Sequence, residues 1–330
     1  MNIAFFTAKS YDKFYFNQLL PDTQHKITYF EDALNSETAV LASGFDAVCV
    51  FVNNMVDRET IELIADYGVK VIALRSAGIN NVDLQAAQDA GLHVFRVPAY
   101  SPEAVAEHTA ALILTLNRKT HKAYNRVREN NFSLEGLAGF NIHGKKVGVI
   151  GTGKIGVAFC KIMKGMGCSI NAYDPYENED VINMGGTYMK LDELLAKSNI
   201  ISLHCPLIPE TKHMIDKQTI DKMNDSPMLI NTSRGGLINT GDVIDGLKEK
   251  KIGSLGIDVY EQEEDLFFQD LSEEVIQDDE IARLMSFPNV LITGHQAFLT
   301  KEALNEIAKT TLHNLTAYEA GDEVENRVLP

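Results

Sequence analysis

The sequence predicts an α/β protein with two doubly wound parallel-sheet domains, one inserted into the other. Three observations predict this. Short β-branched and aromatic segments alternate with helical patterns in two separate series. A long apolar helix stands between the two series. Finally, 330 residues with 45% hydrophobic content are enough for two ordinary cores.

The first series predicts one parallel-sheet domain. Its segments are short and rich in β-branched and aromatic residues, and helical patterns such as 60–67 and 83–90 separate them. The predicted strands are residues 3–7, 26–30, 47–52, 69–74 and 93–97.

The hydrophobic pattern changes from that of strands to that of a helix at Ser101 and Pro102. Ser101 is a favourable N-cap, and Pro102 suits the first helical position because its missing N–H costs nothing there. Residues 103–119 then form a helix that is apolar on most of its circumference, so we expect a domain or subunit interface to bury it. This helix predicts a homo-oligomer, a dimer or a tetramer.

The second series predicts a larger parallel sheet with strands at 146–150, 169–173, 200–204, 228–231, 254–259 and 290–293. The acidic stretch 261–280 is interpreted as a solvated excursion around the last crossover. Thr300 then caps a final helix, 301–320, that we expect to return to the first domain. The predicted domains are therefore residues 1–99 with 299–330, and residues 100–298.

A glycine motif, Gly-Thr-Gly-Lys-Ile-Gly, follows the first strand of the second series and opens a helix. Gly151 permits the tight turn, Gly153 lets a pyrophosphate approach the backbone, and Gly156 lets helix and strand pack closely. The next strand ends at Asp174, about 20 residues on, where a carboxylate binds ribose hydroxyls. This context predicts a Rossmann domain, with a glycine-rich turn and a capping Asp174 as the alternative. Because Asp174 would repel a 2′-phosphate, NAD is favoured over NADP.

Three side chains suited to acid–base chemistry follow strands of the same domain: Arg234, Glu263 and His295. The carboxyl ends of strands are where open α/β sheets place their chemistry. A guanidinium binds an anion, an imidazole transfers a proton and a carboxylate tunes the imidazole, which predicts acid–base work on a carboxylate-bearing substrate. The residues alone leave Glu261 and Glu264 open as the carboxylate.

Charge restricts the partners. The chain has 30 Lys and Arg against 46 Asp and Glu, a formal net charge of -16, and no basic run offsets it. We expect neither nucleic acid nor an anionic membrane as a partner, so Arg234 gains importance as a local positive group. Without a recognisable signal peptide or membrane span, a cytoplasmic location is expected. The cysteines lack metal-ligand spacing, and no metal is expected.

The sequence resembles the D-isomer-specific 2-hydroxyacid dehydrogenase family over essentially its whole length. Five segments carry the resemblance: 74–83 (Leu-Arg-Ser-Ala-Gly-Ile-Asn-Asn-Val-Asp), 97–108, 231–235 (Asn-Thr-Ser-Arg-Gly), 258–260 and 294–299. It implies a Rossmann domain inserted into a discontinuous flavodoxin-like substrate domain. The spacing from Asp258 in the family selects Glu263 as the carboxylate.

The resemblance also implies the reaction, an NAD-dependent and reversible reduction of pyruvate to D-lactate. Arg234 would bind the substrate carboxylate and polarise the carbonyl, protonated His295 would donate the proton, and Glu263 would orient the imidazole and favour its charged form. The stereochemistry rests on the resemblance alone.

Further contacts are implied in the same way. The backbone at Ala77 and Gly78 would help to hold the substrate carboxylate. The implied cofactor contacts are Lys154 and Ile155 at the pyrophosphate, Asp174 at the ribose, Cys205, Pro206 and Thr211 along the cleft, and Thr232, Ser233, Arg234 and Asp258 near the nicotinamide.

Three aromatic residues, Phe51, Tyr100 and Phe298, are interpreted as the enclosure of a methyl-sized substrate side chain, because aromatics commonly line ligand pockets. Each is also compatible with a core position. The alternative functions are a reductase of longer 2-keto acids, of the D-2-hydroxyisocaproate type, and a non-catalytic NAD-sensing protein of the corepressor type. The intact set of acid–base residues argues against the second.

Overall fold

The computed structural model describes residues 1–223, 226–264 and 266–330, which form two compact units. Unit 1 consists of Met1–Ser101 and Leu299–Pro330, and unit 2 of Pro102–Phe298. The first limit lies two residues after the predicted one, at residue 101 instead of 99.

Unit 1 is a parallel sheet with one antiparallel edge strand. Its helices, numbered along the whole chain, are α1 (Ser10–Leu19), α2 (Arg58–Asp66), α3 (Leu84–Asp89) and α12 (Lys301–Ala320). Its strands are β1 (Asn2–Phe5), β2 (Lys26–Tyr29), β3 (Ala47–Val50), β4 (Val71–Leu74), β5 (His93–Phe95) and β13 (Arg327–Val328). The order β2-β1-β3-β4-β5 is that of the flavodoxin-like fold, and β13 adds antiparallel to β5.

Helix α12 completes the core of unit 1. The Thr300 side chain accepts a hydrogen bond from the N–H of Ala303 at 3.2 Å, as expected for the predicted cap. Ala308, Leu312 and Leu315 of α12 belong to the same buried cluster as apolar residues of β1, β3, β4 and β5. The prediction of a final helix over 301–320 that returns to the first sheet is therefore confirmed.

Unit 2 is a fully parallel sheet among its described residues. Its helices are α4 (Pro102–Arg118), α5 (Thr120–Arg128), α6 (Lys154–Gly165), α7 (Glu179–Asn183), α8 (Leu191–Lys197), α9 (Lys217–Ile220), α10 (Thr240–Lys248) and α11 (Asp279–Ser286). Its strands are β6 (Lys146–Ile150), β7 (Ser169–Tyr173), β8 (Thr187–Tyr188), β9 (Ile200–Leu203), β10 (Met228–Asn231), β11 (Ser254–Ile257) and β12 (Val290–Ile292).

The strand order of unit 2 is β8-β7-β6-β9-β10-β11-β12. This is the Rossmann order 3-2-1-4-5-6 with one further strand, so the predicted fold class is confirmed. The direction of winding reverses between β6 and β9, and the crevice at the carboxyl ends of these two strands is where such sheets bind a nucleotide.

Helix α4 corrects one expectation. It begins at Pro102 as predicted, but Ala106, Leu112 and Ile113 pack in one buried cluster with residues of β6 and α6. These side chains are therefore buried inside unit 2 and not by the domain or subunit interface that was expected. None of the helices in the described part of the chain is long and apolar enough to cross a lipid bilayer.

The acidic stretch 261–280 is also more than the solvated excursion that was predicted. Leu266 and Phe267 pack against the buried core of unit 2. Phe268 has a left-handed backbone, with φ of 65°, and its ring lies 5.7 Å from the imidazole of His295. The apolar residues of the stretch therefore fix its path next to a predicted catalytic residue.

Candidate active site

Two glycines of the turn after β6 are required by packing within the protein, and the third leaves space for a ligand. Gly151 has φ of 94°, and a Cβ there would lie 2.5 Å from the backbone nitrogen of Cys205. A Cβ on Gly156 would lie 2.1 Å from the carbonyl oxygen of Gly151. At Gly153, by contrast, a Cβ would meet nothing within 4 Å. Packing does not require a glycine there, so its absent side chain leaves the backbone open to a ligand, as a pyrophosphate needs.

The N-terminus of α6 and Asp174 complete this nucleotide site. No side chain caps α6 at Gly153, so its first N–H groups and positive dipole end are available to an anion. Asp174, which is partly exposed, accepts hydrogen bonds from the N–H groups of Thr152 at 2.6 Å and Tyr176 at 2.9 Å. Its carboxylate thus lies beside the glycine turn with acceptor capacity left for ribose hydroxyls. These residues fit NAD.

Two residues that hold this turn were missed by the sequence reasoning. The Tyr188 hydroxyl donates to Oγ1 of Thr152 at 2.8 Å, and Nδ2 of Asn178 donates to the Thr152 carbonyl at 3.1 Å. Tyr188 lies on β8, which is two residues long and carries no periodic signal. No local pattern in the sequence relates either residue to Thr152.

The other predicted cofactor residues of the crevice use their side chains within unit 2. Thr232 is buried and shares a hydrogen bond of 2.8 Å with Thr109, while Ser233 donates to the Cys205 carbonyl at 2.7 Å. The Thr211 hydroxyl makes hydrogen bonds with backbone groups of its own loop. Burial raises the pKa of Cys205 to about 11, so its thiol stays uncharged near neutral pH. Contacts of these residues with a cofactor stay a prediction.

Glu263 and His295 form a hydrogen-bonded pair. Oε1 of Glu263 lies 2.7 Å from Nδ1 of His295, and Oε2 accepts the N–H of Tyr260 at 2.9 Å. Nε2 of His295 makes no hydrogen bond with any described residue, so it is the ring nitrogen available for proton transfer. Glu261 instead bonds to His213 and Glu264 is exposed, which leaves Glu263 as the partner of the imidazole.

The backbone at His295 is held in a left-handed conformation, with φ of 52°. Its N–H donates to the carbonyl of Asp258 at 2.7 Å. The Asp258 carboxylate, which is fully buried, accepts the N–H groups of Gln296 at 2.9 Å and Ala297 at 2.8 Å. Asp258 thus holds the turn that presents His295, and its contact with a cofactor stays a prediction.

The surroundings of Asp258 keep it ionised. Burial alone would raise its pKa, but hydrogen bonds from His108, from Thr293 and from the two turn N–H groups lower the pKa below its ordinary value. Nε2 of His108, on α4, lies 3.4 Å from the carboxylate and 3.1 Å from Oγ1 of Thr293. His108 is therefore a structural partner of the carboxylate.

Arg234 follows β10 and is partly exposed. Its Nη1 donates to the Ser233 carbonyl at 2.6 Å, and its own carbonyl accepts Nδ2 of Asn231 at 2.8 Å. Nε and Nη2 bond to none of the residues that the structure describes, which leaves two donors of the fork for an anion. Because β10, β11 and β12 are neighbours, Arg234, Glu263 and His295 follow three adjacent strands at one edge of the sheet.

The predicted substrate residues of unit 1 lie after its own strands. Neither N–H of Ala77 and Gly78 donates a hydrogen bond to the described residues, so both are available to a carboxylate. Phe51 is 9% exposed, with the Arg75 guanidinium 5.1 Å from its ring centre, and Tyr100 is partly exposed. In unit 2, the third aromatic residue of the predicted pocket, Phe298, is buried as well. Their contacts with a substrate stay predictions.

The sequence profile of the D-isomer specific 2-hydroxyacid dehydrogenase NAD binding domain matches residues 110–297. The chain belongs to the D-isomer specific 2-hydroxyacid dehydrogenase family. The resemblance inferred from the motifs and the NAD cofactor are thereby confirmed.

Individual members of this family are similar over the full chain. A 2-hydroxyacid dehydrogenase homolog of Haemophilus influenzae is 55% identical and the D-lactate dehydrogenase of Escherichia coli 50% identical, each with 100% of both chains covered. The structure is also similar to that of the pyruvate reductase of Chlamydomonas reinhardtii, with a TM-score of 0.93 and 44% identity over 99% of this chain and 98% of the other.

Proposed function

We propose that this family member is an NAD-dependent D-lactate dehydrogenase, which reduces pyruvate to D-lactate reversibly. The observation that carries the proposal is the Glu263–His295 hydrogen bond, which leaves Nε2 open at the sheet edge that Arg234 shares. The names of the Escherichia coli and Chlamydomonas relatives support pyruvate as the substrate.

The side chains divide the work as follows. Bound NADH supplies the hydride. Arg234 binds the substrate carboxylate through its planar fork and polarises the carbonyl. With both ring nitrogens of His295 protonated, Nδ1–H donates to Glu263 and Nε2–H gives its proton to the developing alkoxide. In lactate oxidation the neutral Nε2 accepts that proton.

A panel of 2-keto acids with NADH and NADPH tests the proposal, with the chirality of each product determined. We expect pyruvate to have the highest kcat/KM, with NADH, and the product to be D-lactate. A higher kcat/KM for a branched six-carbon 2-keto acid would favour the alternative of the D-2-hydroxyisocaproate type. Absence of NADH loss with every acid would instead favour an NAD-sensing role.

We also propose that the protein acts in the cytoplasm as a homodimer or homotetramer. All four cysteines are buried free thiols, as is usual in a reducing compartment. Large apolar side chains on α5 and the segment after it are exposed, including Tyr124, Phe132 and Leu134, which supports an interface between copies. Light scattering on the purified protein tests the oligomeric state, and cell fractionation tests the location.

A further inference from the structure

A second histidine–glutamate pair lies in unit 2, and the proposed mechanism does not use it. Nε2 of His213 bonds to Oε1 of Glu261, and the two side chains are 33% and 26% exposed. Oε2 of Glu261 accepts Oγ1–H of Thr240 at 3.1 Å and its N–H at 3.4 Å. Thr240 is the first residue of α10, where the helix dipole favours a negative charge.

Both residues of this pair contact the segment 235–240, which begins directly after Arg234. On one side the segment is tied to the backbone around His213. The N–H of His213 donates to the Gly236 carbonyl at 2.8 Å, and the N–H of Ile215 donates to the Leu237 carbonyl at 3.0 Å. His213 makes its contact from a left-handed backbone with φ of 52°, which is unfavourable without such support.

On the other side the segment touches the chain that carries Glu263. A Cβ on Gly235 would lie 2.1 Å from the carbonyl atoms of Tyr260 and 2.4 Å from the nitrogen of Glu261. Tyr260 is the residue whose N–H holds Glu263. The segment after Arg234 is thus confined between residues 213–215 and 260–261, and the Glu261 side chain connects both to the start of α10.

We propose that Glu261 and His213 are positioning residues that fix the backbone presenting Arg234 to the substrate carboxylate. This rests on the proposed function of Arg234. Two glutamates two residues apart then have different roles. Glu263 bonds to the imidazole of His295, and Glu261 bonds to the segment that follows Arg234. The two roles predict different kinetic consequences.

The test compares Glu261→Gln, His213→Gln, the double variant and the control Glu264→Gln. Glu264 is exposed and forms no ion pair or side-chain hydrogen bond with the described residues, so its variant removes the same charge without the contact. We expect Glu261→Gln and His213→Gln each to raise KM for pyruvate roughly tenfold, since small misplacements of a binding group have effects of this size or more. KM for NADH and the pH dependence of kcat/KM should stay as in the wild type.

The double variant should raise KM no more than either single variant, because both break one interaction. An equal rise in Glu264→Gln, a parallel rise in KM for NADH, a shifted pH dependence of kcat/KM or additive single effects would each overturn the proposal. Should Glu261→Gln fail to fold in circular dichroism, Thr240→Val removes one donor to the same carboxylate and must show the same rise confined to pyruvate. Failure of Thr240→Val to do so would overturn the proposal too.

Wild-type turnover separates this inference from the proposed function. If the wild type reduces another 2-keto acid better than pyruvate, the same variants are measured with that acid. The substrate assignment then fails, while the KM ratios still decide whether Glu261 and His213 position Arg234.

Discussion

Replacing Glu263 by glutamine tests the proton-transfer pair most directly. The substitution removes a negative charge 2.7 Å from Nδ1 of His295 and nearly preserves size. The carboxylate stabilises the protonated imidazole, which pyruvate reduction requires. Without it the proton donor of the reduction loses its charged hydrogen-bond partner, so kcat/KM for pyruvate should fall. Lactate oxidation forms the same protonated imidazole, so its kcat/KM should fall as well.

The size of the loss in kcat/KM follows from the burial of the pair. The two side chains are 14% and 19% exposed, so solvent screens their interaction only partly. A hydrogen bond that involves a charged group contributes about 1.5 to 3 kcal/mol. Since about 1.4 kcal/mol corresponds to a factor of ten in rate, kcat/KM should fall about 10- to 100-fold in both directions.

The assay is kcat/KM in both directions for the wild type, Glu263→Gln and the exposed control Glu264→Gln. The control should keep the wild-type values. A kcat/KM of Glu263→Gln within about twofold of the wild type in both directions would refute the role given to Glu263.

Four further substitutions test other parts of the two units. Asp174→Ala should narrow the preference for NADH over NADPH in kcat/KM, because it removes both the ribose contact and the repulsion of a 2′-phosphate; an unchanged ratio would contradict the assignment. Arg234→Lys keeps the charge but loses the planar fork, so kcat/KM for pyruvate should fall strongly at unchanged NADH affinity. Phe51→Leu should raise turnover of longer 2-keto acids relative to pyruvate, whereas equal losses for all acids would place Phe51 in the core only. Asp258→Asn should lower the free energy of unfolding in urea by about 3 kcal/mol at neutral pH. Because the pKa of Asp258 is lowered in the folded protein, its stabilisation is present above about pH 4, and the difference should shrink as the pH falls further.

The sequence predicted elements whose signal is local and periodic. The glycine turn and Asp174 were identified because their spacing is fixed by one strand, one turn and one helix. The final helix was identified from the Thr300 cap and its length. By contrast β8 and β13 have two residues each, too few for an alternating pattern, and both depend on pairing with distant strands.

Long-range contacts explain what the sequence left open. The apolar circumference of α4 indicated burial but not which surface buries it. Glu261, Glu263 and Glu264 lie within four residues and carry the same side chain. The family resemblance selected Glu263, and the fold shows its bond to His295 and that of Glu261 to His213. Asp258 follows a strand, a position where a carboxylate is usually exposed. In the structure it is fully buried beneath the His295 turn.

The return of α12 to unit 1 has a consequence for the order of events during synthesis on the ribosome. Residues 102–298 contain the whole of unit 2, so this sheet has all its strands before α12 is translated. One face of the first sheet is completed last, because Ala308, Leu312 and Leu315 belong to its buried cluster and β13 pairs with β5. The apolar residues of the N-terminal strands on that face therefore lack part of their cover until translation is nearly complete, which exposes them to misassociation in the meantime.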